Sequence, residues 1–434
     1  MCAMGGTRPP RQSITVCVAH PRQTVFLEHR ALSCREGGCA CALAFGAFAK
    51  RLLSYRRVGR SSVGVVVWGQ SNRSDLSNGD VFTVVLLMNS SASSHLPFRN
   101  SVHLTQAEAH DLMRRMLSGS MDTEGIAEVL HYLRRKGETV AELVGFATAM
   151  QEMAHAIDLA QEDDPVIDTC GTGGDDSNTF NVSTATAFVV AGAGQRVAKH
   201  GNRRISSQCG SADVLEALGI SVTMPPEQVA DCIRETGIGF LYAPLLHPAV
   251  KHAQEARLQL KGRTIFNLLG PLTNPVRARV QLIGAFSVRA AEMMALALAK
   301  MGIDRAFVVH GADGLDEISI TGPTTVFQVE ENSVQKGRWQ PADFGLPEAT
   351  LEDLQGGDSK TNAEIIRAIL EGETGPKRDI VIANAAAALF VARKALDLKS
   401  AVAMAIESID SGAARRKLEK LIEFSARLQH VVAS

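Results

Sequence analysis

The segment Asp168-Thr-Cys-Gly171-Thr-Gly-Gly174-Asp-Asp-Ser-Asn-Thr179-Phe-Asn181-Val-Ser183-Thr184 decides how the rest of the chain is interpreted. It continues a β-rich run over residues 166–170 and ends in a helical stretch over residues 183–193, so a strand leads through a glycine-rich loop into a helix. Glycines let backbone N–H groups approach an anion closely, and a helix N-terminus adds free N–H groups and a favourable dipole. The pattern predicts a phosphate-binding loop, although a tight strand-to-helix turn has the same composition.

The loop does not match the two commonest nucleotide-binding motifs. It has no Gly-Lys-Ser/Thr and is therefore not a Walker A loop. Asp176 stands where a Gly-x-Gly-x-x-Gly dinucleotide loop has its last glycine. An anion site of another class is indicated.

A second loop, Lys199-His-Gly-Asn-Arg-Arg-Ile-Ser-Ser207, follows the next predicted strand. Its cations, amide and hydroxyls suit phosphate oxygens, because an arginine offers a bidentate fork and a lysine a mobile charge. A solvated basic turn is the alternative when the run is taken alone. Two such loops after consecutive strands favour one bipartite site at the carboxyl ends of the strands.

The sequence on either side predicts an α/β fold with a small, all-helical N-terminal domain. Capping boxes at Thr105-x-x-Glu108 and Thr139-x-x-Glu142 each precede helical apolar spacing. From Pro165 onward, short β-rich runs at residues 166–170, 195–199 and 306–310 alternate with helical stretches, which is typical of an α/β layer. Pro271–Pro275 has the composition of a turn. We expect a disordered extension over residues 1–100, a small helical domain over 101–165 with part of the later chain, and an α/β phosphate-binding domain over 166–434.

Composition excludes several functional classes. The longest apolar runs, such as Ala385 to Val391, fall well short of the ~20 residues of a membrane helix. Residues 1–100 hold 12 Lys/Arg and 4 Asp/Glu, which leaves 33 and 42 in the rest of the chain. This mildly acidic body argues against a general nucleic-acid surface. We expect neither a membrane nor a nucleic acid as partner.

The N-terminal region has a composition of its own. Five of the eight cysteines lie there, at Cys2, Cys17, Cys34, Cys39 and Cys41, with no fourth ligand at the spacing of a metal knuckle. Residues 1–87 are rich in Arg and Ser and poor in acids, as in an organellar transit peptide or in translated upstream sequence. We favour upstream sequence and a cytoplasmic protein; a genuine transit peptide would make it organellar.

Taken together, the motifs resemble the anthranilate phosphoribosyltransferase family. They occur in the family's order over roughly residues 101–430. The matching segments are Gly171–Asp175, Asn181–Thr184, Lys199–Ser207, Gly210–Asp213, His247–Ala249, Arg263–Pro275 and Gly314–Glu317.

The resemblance implies a fold of the nucleoside phosphorylase and phosphoribosyltransferase type, usually a homodimer, with Mg²⁺ and with PRPP and anthranilate as substrates in tryptophan biosynthesis. It makes the α/β domain over 166–434 the PRPP-binding domain. By motif position, the residues implied to bind PRPP are Gly171, Gly174, Asp175, Thr179, Asn181, Val182, Ser183, Thr184, Lys199, His200, Gly201, Asn202, Arg203, Ser206, Ser207 and Ser211. Those implied to bind anthranilate are Gly171, His200, Asn202, His247, Arg257 and Gly270. Those implied near the metal are Ser183, Asp316 and Glu317, whose oxygens suit a hard cation.

Pyrophosphate leaves readily once Mg²⁺ offsets its charge, so the implied reaction needs no covalent nucleophile. We expect no covalent nucleophile, and only a minor role for His200 as a proton acceptor.

Two alternative functions are a pyrimidine nucleoside phosphorylase and a nucleic-acid-binding relative that has lost catalysis. Arg257 and the Arg263–Pro275 motif tell against the first, while Asp316, Glu317 and the acidic body tell against the second.

Overall fold

The computed structural model describes residues 15–20, 23–28, 64–68, 83–87, 103–159, 165–174, 177–203 and 209–432. The chain divides into two compact units, Met1–His95 and Leu96–Ser434. Within the first unit, four strands form a sheet in the order β2-β1-β4-β3. These strands are β1 (Thr15–His20), β2 (Gln23–Glu28), β3 (Gly64–Trp68) and β4 (Thr83–Leu87). The expected extension over residues 1–100 stays a prediction.

The second unit is built on a seven-stranded sheet in the order β11-β10-β9-β8-β5-β6-β7. Strands β7, β6, β5, β8 and β9 run parallel, whereas β10 and β11 are antiparallel. The strands are β5 (Ile167–Gly171), β6 (Val197–Gly201), β7 (Ile238–Tyr242), β8 (Val280–Gly284), β9 (Arg305–Gly311), β10 (Thr324–Glu330) and β11 (Ser333–Trp339). The predicted strands at 166–170, 195–199 and 306–310 are confirmed to within two residues.

Helices cover both faces of this sheet, so its central strands are apolar on both sides. In β9, Phe307 and Val309 enter one core, while Ala306 and Val308 enter the other. The helices are α1 (Gln106–Leu117), α2 (Thr123–Lys136), α3 (Val140–Glu152), α4 (Val182–Gly192), α5 (Ser211–Ala217), α6 (Pro226–Thr236), α7 (Ala243–Leu246), α8 (Lys251–Leu260), α9 (Ile265–Leu272), α10 (Val288–Met301), α11 (Ser359–Leu370), α12 (Pro376–Val391), α13 (Leu398–Asp410) and α14 (Ala413–Val432). The predicted fold class is confirmed.

A small helical unit forms around α1, α2 and α3, and α8 from the later chain packs against α1 and α2. Both predicted capping boxes are present, at Thr105 with Glu108 and at Thr139 with Glu142. The second one is buried. The fully buried Glu142 carboxylate accepts hydrogen bonds from Leu104 N at 2.8 Å and from Lys136 Nζ at 2.6 Å. It therefore joins the ends of all three helices.

One turn predicted from sequence is partly wrong. Pro271 to Pro275 had the composition of a turn, but α9 continues to Leu272 with Pro271 inside it. A proline near the C-terminal end removes a single helical hydrogen bond, which the apolar packing of the helix tolerates here. In the part of the chain that the structure describes, no helix is long and apolar enough to cross a membrane.

Replacing Glu142 by alanine should destabilise the protein by about 3 kcal/mol, because the Lys136 ammonium would stay buried without its partner. Urea unfolding followed by far-UV circular dichroism measures the change. Glu108→Ala is the matched control, since its capping box is exposed and should give a far smaller shift of the midpoint. Equal shifts in the two variants would contradict the role assigned to the buried carboxylate.

Candidate active site

The two predicted anion loops lie side by side. They follow β5 and β6, which are parallel neighbours, so both loops emerge at the same edge of the sheet. Both belong to the candidate site, together with the connection after β9 that carries Asp316 and Glu317. Asp175, Asp176 and the segment 204–208, which includes Ser206 and Ser207, lie outside the described residues.

The first loop requires glycine at Gly171 because Asp316 approaches its backbone closely, and at Gly173 and Gly174 because of their backbone conformation. A Cβ atom at Gly171 would lie 2.7 Å from Asp316 Oδ2. Gly173 and Gly174 have φ angles of +64° and +77°, which side chains other than glycine rarely adopt. Gly173 N donates to Asp316 Oδ2 at 2.8 Å. The loop therefore presents backbone N–H groups and already binds one carboxylate oxygen.

Arg263 and Asn267 hold this loop from the α8–α9 side. The Arg263 guanidinium donates to the Gly174 carbonyl and lies 4.6 Å from the centre of the Phe286 ring. Asn267 Nδ2 donates to the Thr172 carbonyl at 3.4 Å. The site residues implied by motif position include neither Arg263 nor Asn267, although both stand in the Arg263–Pro275 motif that the resemblance singled out.

The far end of the loop is anchored by the segment before α11. Thr179 forms an isolated β-bridge with Gln355. Asn181 donates to the Cys209 carbonyl at 3.2 Å and accepts a hydrogen bond from Asn362 Nδ2 at 3.0 Å. These contacts fix the start of α4, where Val182, Ser183 and Thr184 stand. The sequence offered no signal for Asn362, which lies far along the chain.

Lys199 is the buried cation at the centre of the site. Its Nζ donates to Ser183 Oγ at 3.1 Å and to the Thr169 carbonyl. Burial lowers the pKa of Lys199, whereas the nearby carboxylates, with Asp168 the strongest, raise it. Glu317 and Asp316 are among those carboxylates. Of the three residues implied near the metal, Ser183 contacts this ammonium group directly, and Asp316 and Glu317 act on it electrostatically.

A buried hydrogen-bond network supports Lys199 and His200 from below. Asp168 Oδ1 accepts from His200 N at 3.1 Å, and Asp168 Oδ2 accepts from Asn274 Nδ2 at 2.8 Å. Asn274 Nδ2 also donates to the Ala198 carbonyl at 2.9 Å. Burial raises the pKa of the Asp168 carboxyl, and the bonds from Asn274 and His200 counteract it. Strands β5 and β6 and the end of α9 are thus joined at one carboxylate.

Two neutral histidines face each other beside this network. The His200 and His247 ring centres are 5.2 Å apart. Burial is the main cause that lowers the pKa of His200 to about 3 and that of His247 to about 4. His200 Nδ1 lies 3.0 Å from the Gly270 carbonyl, which assigns the proton to Nδ1. His200 Nε2 is buried and has no partner among the described residues.

The rest of the second loop is held by side chains of α5. Asn202 N donates to Ser211 Oγ at 3.2 Å, and Ser211 Oγ donates back to the Asn202 carbonyl at 3.2 Å. Arg203 donates to both carboxylate oxygens of Glu216, at 2.5 and 2.6 Å, and to Tyr242 Oη at 3.0 Å. These bonds raise the pKa of Arg203. Binding of PRPP by Arg203, expected from the sequence, would compete with this ion pair.

A first cavity of about 630 Å³ opens between the two loops and the helical unit. The structure brings together here all six residues implied to bind anthranilate, namely Gly171, His200, Asn202, His247, Arg257 and Gly270. Arg257 is half-buried, stacks on Phe266 at 4.8 Å, and forms no ion pair with any described residue. Burial lowers its pKa to about 10, so it stays charged at neutral pH. A half-buried cation without a counter-ion among the described residues suits an anionic ligand.

Known proteins resemble this chain over most of its length. Residues 163–415 match the family model described as "Glycosyl transferase family, a/b domain", and residues 98–154 match its helical bundle domain. The anthranilate phosphoribosyltransferase of Solibacter usitatus is 55% identical over 324 residues, which are 75% of this chain and 95% of that protein. The one from Desulforudis audaxviator is 50% identical over 328 residues, or 76% and 94%.

Solved structures give the same result. A Thermus thermophilus anthranilate phosphoribosyltransferase superimposes with a TM-score of 0.72 and 40% identity, covering 76% of this chain and all of that one. The Saccharomyces cerevisiae enzyme in complex with PRPP and Mg has a TM-score of 0.68 and 30% identity, covering 75% and 94%.

Acidification from pH 7 to pH 5 should destabilise the protein through His200. The unfolded imidazole, with a pKa near 6.5, takes up a proton in this range, whereas the folded one at about 3 does not, so stability present above pH 6.5 is lost as the pH falls. Over this interval, the free energy of unfolding should fall by about 2 kcal/mol less in His200→Gln than in the wild type. Urea titrations at both pH values test this, with His131→Gln on the exposed side of α2 as control. An identical loss of stability between pH 7 and pH 5 in the wild type and in His200→Gln would show that the folded protein does not hold the imidazole neutral.

Proposed function

The chain belongs to the anthranilate phosphoribosyltransferase family, and we propose that its residues around the first cavity carry out the family's reaction. The protein is a glycosyltransferase that transfers the 5-phosphoribosyl group of PRPP to the amine of anthranilate, giving N-(5-phosphoribosyl)anthranilate and pyrophosphate in tryptophan biosynthesis. The observation that carries the assignment to these residues is the Arg257 guanidinium in the cavity wall beside the glycine-rich loop, which forms no ion pair with any described residue.

Arg257 would bind the anthranilate carboxylate, and its stacking on Phe266 restricts the guanidinium to one side of the cavity. The neutral rings of His200 and His247 would lie against the substrate ring without repelling a cationic transition state. Gly171, Asn202 and Gly270 complete the wall. The aromatic amine is then directed toward the edge of the sheet where the phosphate loops lie.

PRPP would occupy the space between the two loops. The backbone N–H groups of Gly171 and Gly174, the first turn of α4 and the Lys199 ammonium supply positive potential for its phosphates. Asn202 and Ser211, which hold each other in place, shape the second loop. The remaining members of the PRPP set given above, including those outside the described residues, stay predictions from motif position.

The residues around Lys199 also fit a divalent cation. Ser183, Asp316 and Glu317 offer only oxygen ligands, which Mg²⁺ prefers. Bound Mg²⁺ would supply positive charge that offsets the charge of the pyrophosphate leaving group. The hydrogen bond from Lys199 Nζ to Ser183 Oγ keeps this ammonium group beside the proposed site, and the Glu317 and Asp316 carboxylates favour its charged form. The yeast relative in complex with PRPP and Mg supports this proposal.

The remaining chemistry requires positioning rather than a nucleophile. Cys170 lines the first cavity, but burial raises the pKa of its thiol well above the usual value, so it stays protonated. The His200 Nε2 lone pair faces no described hydrogen-bond donor and could accept the proton that the amine loses after it attacks the ribose. Binding and orientation then account for most of the rate enhancement. A homodimer and a cytoplasmic location stay predictions from the sequence.

Two other functions are less consistent with this site. A pyrimidine nucleoside phosphorylase binds an uncharged base, for which a half-buried cation without a counter-ion is unfavourable. A catalytically inactive nucleic-acid binder would gain nothing from a cavity with two neutral histidines and retained carboxylates. Inertness toward anthranilate combined with strongly salt-dependent DNA binding would revive that second alternative.

Arg257→Ala should raise the KM for anthranilate about 10- to 100-fold while changing the KM for PRPP little, because a charged hydrogen bond to the substrate carboxylate is lost. Loss of anthranilate fluorescence with PRPP and Mg²⁺ measures both constants. Arg257→Lys should recover part of the loss, since it keeps the charge without the bidentate fork. Arg279→Ala, which removes an exposed guanidinium far from the cavity, is the matched control.

Glu317→Gln should raise the Mg²⁺ concentration for half-maximal activity about tenfold or more, because one anionic ligand becomes neutral with little change in shape. Glu317 is preferred to Asp316 for this test, since Asp316 also binds the Gly173 N–H. Glu331→Gln, on the turn between β10 and β11, is the control. An unchanged metal requirement in Glu317→Gln would remove Glu317 from the proposed set.

A further inference from the structure

A second cavity of about 730 Å³ adjoins the first one, and the proposed reaction places no ligand in it. Its walls come from α2, from α8, α9 and the connection between them, and from Phe286 after β8. It shares Gln254, Arg257 and Asn267 with the first cavity. Gly174 of the glycine-rich loop reaches it as well.

Positive charge dominates the lining. Four cations, Arg134, Arg257, Lys261 and Arg263, face one carboxylate, Glu138, among the described lining residues. Arg134 Nη1 donates to the carbonyls of Leu260 and Lys261, at 3.4 and 3.1 Å, rather than to a carboxylate. Arg134, Arg257 and Lys261 form no ion pair with any described residue. Arg134 and Lys261 are exposed, so solvent screens part of their mutual repulsion, but positive charge concentrated in a cavity still attracts an anion.

A buried hydroxyl is a second, independent sign of a ligand. Thr264 lines the cavity and is only 7% exposed, yet its Oγ1 has no hydrogen-bond partner among the described residues. The Asn267 N–H goes instead to the Thr264 carbonyl at 2.9 Å. A hydroxyl can donate to an anion, and a buried one without a partner is costly. The ligand would therefore give the Thr264 hydroxyl the hydrogen-bond partner that it lacks among the described residues.

The apolar part of the lining defines the rest of the ligand. Leu268 and Phe286 line the cavity, and Leu258 at its rim is 63% exposed. An inorganic anion would leave this leucine in water, whereas an organic body would cover it. We propose that the second cavity binds a small organic acid, whose anionic group meets Lys261, Arg134 and Thr264 and whose apolar body lies against Leu258.

Arg263 links this cavity to the glycine-rich loop. Its guanidinium lines the cavity and at the same time donates to the Gly174 carbonyl. An anion in the cavity would attract the guanidinium and weaken that bond, so the loop would become more mobile. This part of the inference rests on the proposed function of the loop, whereas binding itself does not.

The binding step is tested with the wild-type protein and 8-anilinonaphthalene-1-sulfonate, an aromatic sulfonate whose fluorescence rises in apolar surroundings. Lys261→Glu should raise its Kd about tenfold or more, and Lys261→Gln should give a smaller increase of the same sign. Lys251→Glu is the matched control, because Lys251 lines only the first of the two cavities. A Kd that responds to Lys251→Glu but not to Lys261→Glu, or no saturable binding, would overturn the proposal.

The coupling step is tested by hydrogen exchange in the absence of substrates. Saturating probe should increase amide exchange in residues 171–181 of the wild type and leave it unchanged in Lys261→Glu. Since no catalysis is measured, an inactive enzyme would disprove the proposed function without affecting this result. Binding to the second cavity without any change in loop exchange would overturn the coupling through Arg263.

Discussion

The active site depends on the buried carboxylate of Asp168. A carboxylate without solvent contact is tolerated only if its oxygens accept hydrogen bonds, and here the His200 N–H and the Asn274 amide supply them. These bonds join β5, β6 and the segment after α9 at the point where the phosphate loops begin. The same carboxylate favours the protonated form of the buried Lys199. Removing it would disturb the position of His200 and the charge of Lys199 together.

The local part of this site could be predicted from the sequence, because it depends on short-range rules. Gly173 and Gly174 must be glycine for their φ angles, and an adjacent strand and helix fix where the loop lies. The two capping boxes likewise depend on residues three positions apart. Parallel neighbouring strands then place Lys199 beside Ser183 without any further information.

The contacts between distant segments could not be predicted in this way. Asn362 supports Asn181 across 181 positions of sequence, and Arg263 reaches Gly174 across 89. No periodicity or spacing encodes such a pair, although the family motif drew attention to the segment with Arg263. The sequence also suggested that Arg203 is free to bind phosphate, whereas its ion pair with Glu216 depends on the packing of α5 against the loop.

The cavities show why the helical unit is needed beside a sheet that already holds the phosphate loops. Arg257 stands on α8, which packs against α1 and α2, so the guanidinium that would select the aromatic substrate is positioned by helices rather than by the sheet. Those helices are joined by the buried Glu142. The proposed carboxylate-binding side and the proposed phosphate-binding side therefore belong to different parts of the core, and the first cavity lies between them. A small shift of α8 against the sheet would change the distance between the two substrates while leaving each binding surface intact. For a reaction that relies on positioning rather than on a nucleophile, this distance is the quantity that the packing of α8 controls.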